Sequence, residues 1–253
     1  MYTVIPADTR GHNSFDWLDA RHSFSFGHYY DPDRMGFGPL RVINEDRVKG
    51  GGGFPAHPHD NMEIITIVLE GALAHRDSLG NGAVIAPGEV QMMRAGRGIR
   101  HSEFNASPSD PVHLLQIWLM PNVHNAEPAY QQRRFDVLDP SVPAPQGWQP
   151  LVVPATLDDG AVPEALRILQ DAHLRAARLD VGQKVRIDTD PARRYWLQVM
   201  DGHVHVRLPD GEAVTLGQGD AIALEKDAQG ADIEGALSDQ AKQARVLLFD
   251  MVR

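Results

Sequence analysis

Short apolar runs separated by turn residues dominate the pattern along this chain. EIITIVLEG (63–71), AVIAPGEVQMM (83–93), HLLQIWLMP (113–121), RYWLQVMDG (194–202), HVHVRLPDG (203–211) and DAIALE (220–225) are of strand length and rich in branched or aromatic residues. Between them stand LGNG, PG at 87–88 and PDG at 209–211, each a turn signal. Helical periodicity is weak. PEALRILQDAHLRAARL (163–179) alone could pass as a helix, running to about residue 172. The pattern predicts a mostly β chain, with strands spaced for sandwiches or barrels. A proline-rich stretch at 121–150 lacks sustained periodicity and reads as a connector. It divides the chain into an N-terminal domain over 1–130 and a C-terminal domain, carrying the connector, over 131–253.

The two halves share a spacing. Gly71 in VLEG aligns with Gly202 in VMDG at an offset of 131 residues, and Gly88 then falls on Gly219. A matching gap between a glycine after one strand and a glycine before another predicts one structural unit used twice.

Composition narrows the chemistry. At 253 residues, 42% hydrophobic and 23% charged, the chain suits a soluble globular protein with a sizeable core. Its formal charge of −10, with no basic run, argues against direct nucleic-acid binding. There is no cysteine, so disulfides, thiolate metal sites and thiol nucleophiles are excluded. Neither a secretory leader nor a run of about 18 apolar residues is visible, so no membrane partner and a cytoplasmic location are expected.

The candidate chemistry lies in two pairs. His57 and His59 stand one residue apart in HPH, and His101 and Glu103 one apart in HSE. In an extended strand, residues i and i+2 project from the same face, and Pro58 favours an extended conformation at His57. Two adjacent strands offering such pairs can surround one cation. Three imidazoles and a carboxylate suit Fe²⁺, Mn²⁺, Co²⁺, Ni²⁺, Cu²⁺ or Zn²⁺ better than the oxygen-seeking Ca²⁺ or Mg²⁺. His203 and His205 repeat the spacing after a turn glycine, but no second pair accompanies them; they read as surface or core histidines.

Seven segments then carry a resemblance in order: SFSFGHYYDP (23–32), MGFGPLRVINEDRV (35–48), HPH with MEI (57–64), VLEG (68–71), HRDSLGN (75–81), PGEVQMM (87–93) and AGRGIRHSEFN (95–105). Together they resemble the pirin family of the cupin superfamily, especially its bacterial members, closely over about the first 120 residues. The resemblance implies a bicupin, two jelly-roll-like β-barrel domains in tandem, with one divalent transition metal in the N-terminal barrel. Its ligands fall on His57, His59, His101 and Glu103, with Fe²⁺ the leading ion. Glu63 is a rival carboxylate, because the general cupin pattern places a ligand Glu about four residues after the second His. Glu103 is favoured as the ligand, standing one step along the strand from His101. Offset by 131, the second unit carries Asp188, Asp190, Asp232 and Glu234 in these places, a degenerate site with no imidazole.

Pirin-like proteins of this type are similar to dioxygenases that open quercetin at the 2,3-bond with O₂ and release CO. On that resemblance Glu103 or Glu63 is the candidate general base for the flavonol hydroxyl. Phe26, Phe54, Met62, Met92 and Met93 are candidates for an apolar lining. The family is also associated with transcriptional co-regulation, so a metal-dependent regulatory protein with a protein partner is the alternative. The chain is expected to act as a monomer.

Overall fold

A computed structural model describes the whole chain except residues 158–159, 161, 226–229 and 238–240. In chain order its strands are β1 (Tyr2–Ile5), β2 (Gly11–Ser14), β3 (Leu18–His22), β4 (Leu40–Val48), β5 (Gly53–His59), β6 (Glu63–Glu70), β7 (Leu73–Asp77), β8 (Gly82–Ile85), β9 (Glu89–Arg94), β10 (Ile99–Asn105), β11 (Val112–Leu119), β12 (Ala129–Arg134), β13 (Gln149–Pro154), β14 (Leu166–Ile168), β15 (Ala172–Asp180), β16 (Lys184–Ile187), β17 (Arg193–Asp201), β18 (His203–Arg207), β19 (Ala213–Gly217), β20 (Ala221–Leu224), β21 (Ala231–Ala236) and β22 (Gln243–Val252). Two three-residue 3₁₀ turns are the helical elements among the described residues.

The helix expected over 163–172 is not formed. That stretch carries β14 and the start of β15, and β15 alternates buried and half-buried positions before ending in a buried run. LRAARLD offers apolar positions at a spacing either periodicity can use. Pairing along the whole of β22, from Ala172↔Met251 to Asp180↔Gln243, decides for the strand.

The chain divides into two compact units. One comprises residues 10–135 with 168–170; the other comprises 1–9, 136–167 and 171–253. The break at 135/136 lies beside the division expected at 130/131, and the N-terminal strand belongs with the C-terminal residues. Each unit is built from a seven-stranded and a four-stranded sheet, not from one continuously hydrogen-bonded barrel. In the first unit the orders are β12-β9-β6-β11-β4-β3-β2 and β5-β10-β7-β8; in the second, β1-β20-β17-β22-β15-β13-β14 and β16-β21-β18-β19. The second pair of orders repeats the first except at the two edges of the larger sheet: β1 takes the place that β12 holds, and β14, which follows β13 in the chain, takes that of β2, which precedes β3.

The repeat glycines have one job in both units. Gly71 (φ 74°) and Gly202 (φ 70°) adopt the left-handed conformation between consecutive strands. A Cβ would stand 2.6 Å from the Pro111 carbonyl oxygen at the first and 2.2 Å from that of Gln243 at the second. Gly88 and Gly219 match as well, at φ 90° and 84°.

In the first unit the two sheets share a core. Val48, Val68, Val112 and Leu114 of the larger sheet pack with Leu73 and Ile85 of the smaller one. That core leaves the ends of β5 and β10 to polar side chains.

Candidate metal centre

β5 and β10 run antiparallel, and His57 stands directly opposite His101. A register shift follows between His101 and Glu103, so that Glu103 pairs with Phe54 on β5 and with His75 on β7. Along β10, Ile99, His101, Glu103 and Asn105 point inward while Arg100 and Phe104 are exposed. Strand alternation therefore delivers His101 and Glu103 to one interior.

Potential donor atoms of His57, His59 and His101 lie within 4.8 Å of one another. The Nε2 atoms of His57 and His101 are 3.0 Å apart. Two imidazole nitrogens bound at about 2.1 Å and at right angles would lie ~3.0 Å apart, so this spacing suits adjacent ligands of one ion. The Nδ1–H of His57 donates to the Pro55 carbonyl at 2.8 Å, which leaves the Nε2 lone pair for a cation. His59 Nε2 and Glu103 Oε1 are buried without a hydrogen-bond partner. Buried polar atoms left this way are rare in folded proteins, and a borderline cation fits the nitrogen-rich set.

Electrostatics favour ligation too. Burial, with the charge of His57, holds His59 down to about 4. Burial, with the charges of His57, His59 and His75, holds His101 down to about 2. Both rings are neutral at pH 7, the form that binds metals. Burial pushes Glu103 up to about 7 against a hydrogen bond from Gln116 that pulls it down. A cation beside it would restore the ionised form.

A second group, His75, His101 and Glu103, also lies within ligand reach. His75 is committed elsewhere. Its Nδ1 accepts from Gln91 Nε2 at 3.0 Å, and its Nε2–H donates to Asp77 at 3.3 Å. Glu103 has one oxygen engaged, Oε2 accepting from Gln116 Nε2 at 2.7 Å.

Glu63 occupies a different place. Asn61, at φ 45°, turns the chain out of β5, so Glu63 opens β6 in the other sheet, opposite Arg94 and Leu119. Its carboxylate is fully buried and accepts from the backbone N–H groups of Leu169 (2.7 Å) and Gln170 (3.0 Å). Arg94 Nε stands 3.5 Å from it. The general-base candidacy of Glu63 meets a structural obstacle: both oxygens serve as acceptors for another segment.

The lining is partly other than expected. Phe26 meets Trp118 edge-on at 5.2 Å, and Trp118 meets His59 at 4.9 Å. Met62 and Met93 pack with Ile64, Ala95 and Ile99 beside Trp118. Phe54 instead meets Trp17 edge-on at 5.0 Å, within the core of Leu18 and Val48, and Met92 is fully buried. Gln116, Trp118, Gln91 and Tyr130 were not singled out from sequence. They come from the opposite sheet, and only the i, i+2 spacing of Gln116 and Trp118 hinted that they share a face.

In the second unit three of the four matching acids are tied to cations. Arg186 pairs with Asp188 at 3.1 Å and Asp232 at 3.0 Å, and Lys184 with Glu234 at 3.1 Å. Asp190 accepts from the N–H of Ala192 at 2.8 Å. Among the described residues no ligand cluster forms there. His205 is exposed and pairs with Thr215 at 2.9 Å.

Two repeated jelly-roll-like units, one carrying a histidine-rich centre between its sheets, define a bicupin. A Pirin family profile matches residues 5–119, and a profile described as a quercetinase C-terminal cupin domain matches residues 158–251. Proteins named quercetin 2,3-dioxygenase from Escherichia coli O157:H7 and Escherichia coli K12 are each 44% identical over 253 residues, spanning 99% of this chain and 99% of theirs. The crystal structure of bacterial pirin YhhW from Escherichia coli in complex with nickel(II) superposes with a TM-score of 0.86 at 40% identity, covering 100% of this chain and 99% of that one. The chain belongs to the pirin family.

Proposed function

We propose that this chain is a metal-dependent dioxygenase that opens flavonols such as quercetin at the 2,3-bond with O₂ and releases CO, its ion held by His57, His59, His101 and Glu103. The observation that carries the reading is the 3.0 Å approach of His57 Nε2 to His101 Nε2 beside a third imidazole, that of His59; Glu103, with one buried carboxyl oxygen that no protein donor engages, lies within ligand reach of His101. The names and nickel of the relatives support it. Fe²⁺ is the ion we favour, with Ni²⁺, Cu²⁺, Mn²⁺, Co²⁺ and Zn²⁺ suited to the same donors.

When bound, the ion supplies Lewis-acid polarisation of the flavonol 3-hydroxyl. The neutral rings of His59 and His101 leave their lone pairs to the ion instead of to protons. Glu103, which a bound cation would keep ionised, is the carboxylate that would accept the 3-hydroxyl proton. Gln116 holds its other oxygen still. Trp118 and Phe26 present apolar rings on the His59 side and exclude water from an aromatic substrate.

Purified protein loaded with Fe²⁺ or Ni²⁺ is expected to consume quercetin and O₂ above the metal-stripped control, with His59→Ala and His101→Ala abolishing turnover. Turnover that survives both substitutions would overturn the metal-centred reading.

A further inference from the structure

The segment between β3 and β4 builds a small structure of its own beside the metal centre. Phe26 and Tyr29 exchange backbone hydrogen bonds, both 3.0 Å, across Gly27 and His28, and Gly27 takes φ 57° in the turn. The Ser25 hydroxyl braces it, donating to the Asp31 carbonyl and accepting from the Asp31 N–H, each at 2.8 Å. The turn rests on two residues that face each other across neighbouring strands, Gly11 on β2 and His22 on β3. The Tyr29 ring lies so close over Gly11 that a Cβ there would stand 2.2 Å from it. The same ring stacks on His22 with centroids 6.3 Å apart, and Phe26 meets His22 at 5.6 Å.

His22 is itself fixed from both sides. It is 3% exposed; its Nδ1–H donates to Asn44 Oδ1 at 2.7 Å, and its Nε2 accepts from Asn13 Nδ2 at 3.0 Å. Burial holds its pKa below the usual histidine value against the pull of the Asn44 hydrogen bond. Both ring nitrogens are thus occupied, and neither is free for a metal or a substrate. What the ring offers is its flat surface, and aromatic side chains pack against such a surface in preferred geometries. From there the contacts run on toward the metal centre: Phe26 meets Trp118 edge-on at 5.2 Å, and Trp118 meets His59 at 4.9 Å.

We propose that His22 is a positioning residue: with Gly11 it seats the 26–29 turn, holds the Phe26 ring against Trp118, and so sets how tightly a planar aromatic ligand is held beside the metal centre. The inference rests on the dioxygenase reading for a flavonol as that ligand. Arg41 also anchors the segment, its Nη1 donating to the Ser25 carbonyl at 2.8 Å. That bond fixes the backbone ahead of the turn and leaves the direction of the Phe26 ring to the histidine beneath it.

Unsubstituted flavone, which has the ring system but no hydroxyl to lose a proton, titrated into the Zn²⁺-loaded full chain tests the assignment without turnover. Saturable binding is expected in the parent. His22→Ala should weaken it about tenfold, with metal content and circular dichroism matching the parent. Gly11→Ala, which drives the Tyr29 ring off its seat, should weaken it likewise, so the test does not depend on one variant. Phe26→Ala should weaken binding too, and adding His22→Ala to it should cost nothing further, because a residue that acts through the Phe26 ring has no effect once the ring is gone. In the Fe²⁺-loaded chain, His22→Ala should raise KM for quercetin and leave kcat within a few-fold. Additive losses in the double variant, affinity unchanged in both seat variants, or no saturable flavone binding by the parent would overturn the proposal. Flavone binding of the expected pattern without quercetin turnover would end the dioxygenase reading and leave the role of His22 standing.

Discussion

Gln116 donates from its side-chain amide to Glu103 Oε2 at 2.7 Å, and the indole N–H of Trp118 donates to Gln116 Oε1 at 3.3 Å. The tryptophan thereby fixes which way the amide faces, and the amide fixes the carboxylate. Outer partners of this kind commonly change metal affinity by about 10–100-fold when removed. Gln116→Leu is therefore expected to weaken ion binding by roughly tenfold or more, read by competition with a chromogenic chelator. Unchanged affinity would mean that the Gln116 amide does not support the metal centre through Glu103.

Loss of an imidazole should be more severe. His101→Ala removes the ring opposite His57, and the remaining donors cannot hold a borderline ion through dialysis. Elemental analysis is expected to show well under one ion per chain. The thermal shift that metal addition gives the parent, a consequence of binding only the folded state, should vanish. A full complement of metal in this variant would show that the ion sits elsewhere.

Glu63 separates a structural carboxylate from a catalytic one. Glu63→Gln places an amide –NH₂ where at least one of two backbone N–H groups needs an acceptor. An unsatisfied buried donor costs about 1–3 kcal/mol, so the melting temperature should fall. Turnover per metal-loaded folded chain should stay within a few-fold of the parent. A collapse in turnover without loss of stability would restore Glu63 as the base.

How much of this was legible in the sequence depends on whether the signal was local. The His57–His59 and His101–Glu103 pairs were readable because strand alternation is a local rule. Gly71 and Gly202 betrayed the repeat because each sits in a turn that only glycine enters without strain. Gln116, Trp118, His75 and Gln91 were not readable as one network. They reach the centre from three strands whose registers depend on pairing across the sheets. Glu63 misled because four residues after His59 looks like ligand spacing, whereas the turn at Asn61 moves it to the other sheet. The stretch 163–172 misled because its strand character comes from its neighbours in the sheet, β13 beside β14 and β22 beside the start of β15, and not from local periodicity.

The last prediction concerns Asp46, buried on β4 with Oδ1 unpartnered. Burial, then the charges of Glu103, Glu45 and Asp19, raise its pKa from 3.8 to about 8. Between those values the folded chain holds a proton that the unfolded chain has released, so this residue's contribution to stability declines as pH rises from about 4 to 8. Asp46→Asn keeps the shape of the protonated acid and cannot ionise. Denaturant titrations of metal-loaded protein should show the variant within about 1–2 kcal/mol of the parent at pH 5 and more stable by a few kcal/mol at pH 8.5. Parallel stability curves for the two proteins across that range would show that Asp46 is ionised in the folded chain at neutral pH, as in the unfolded one.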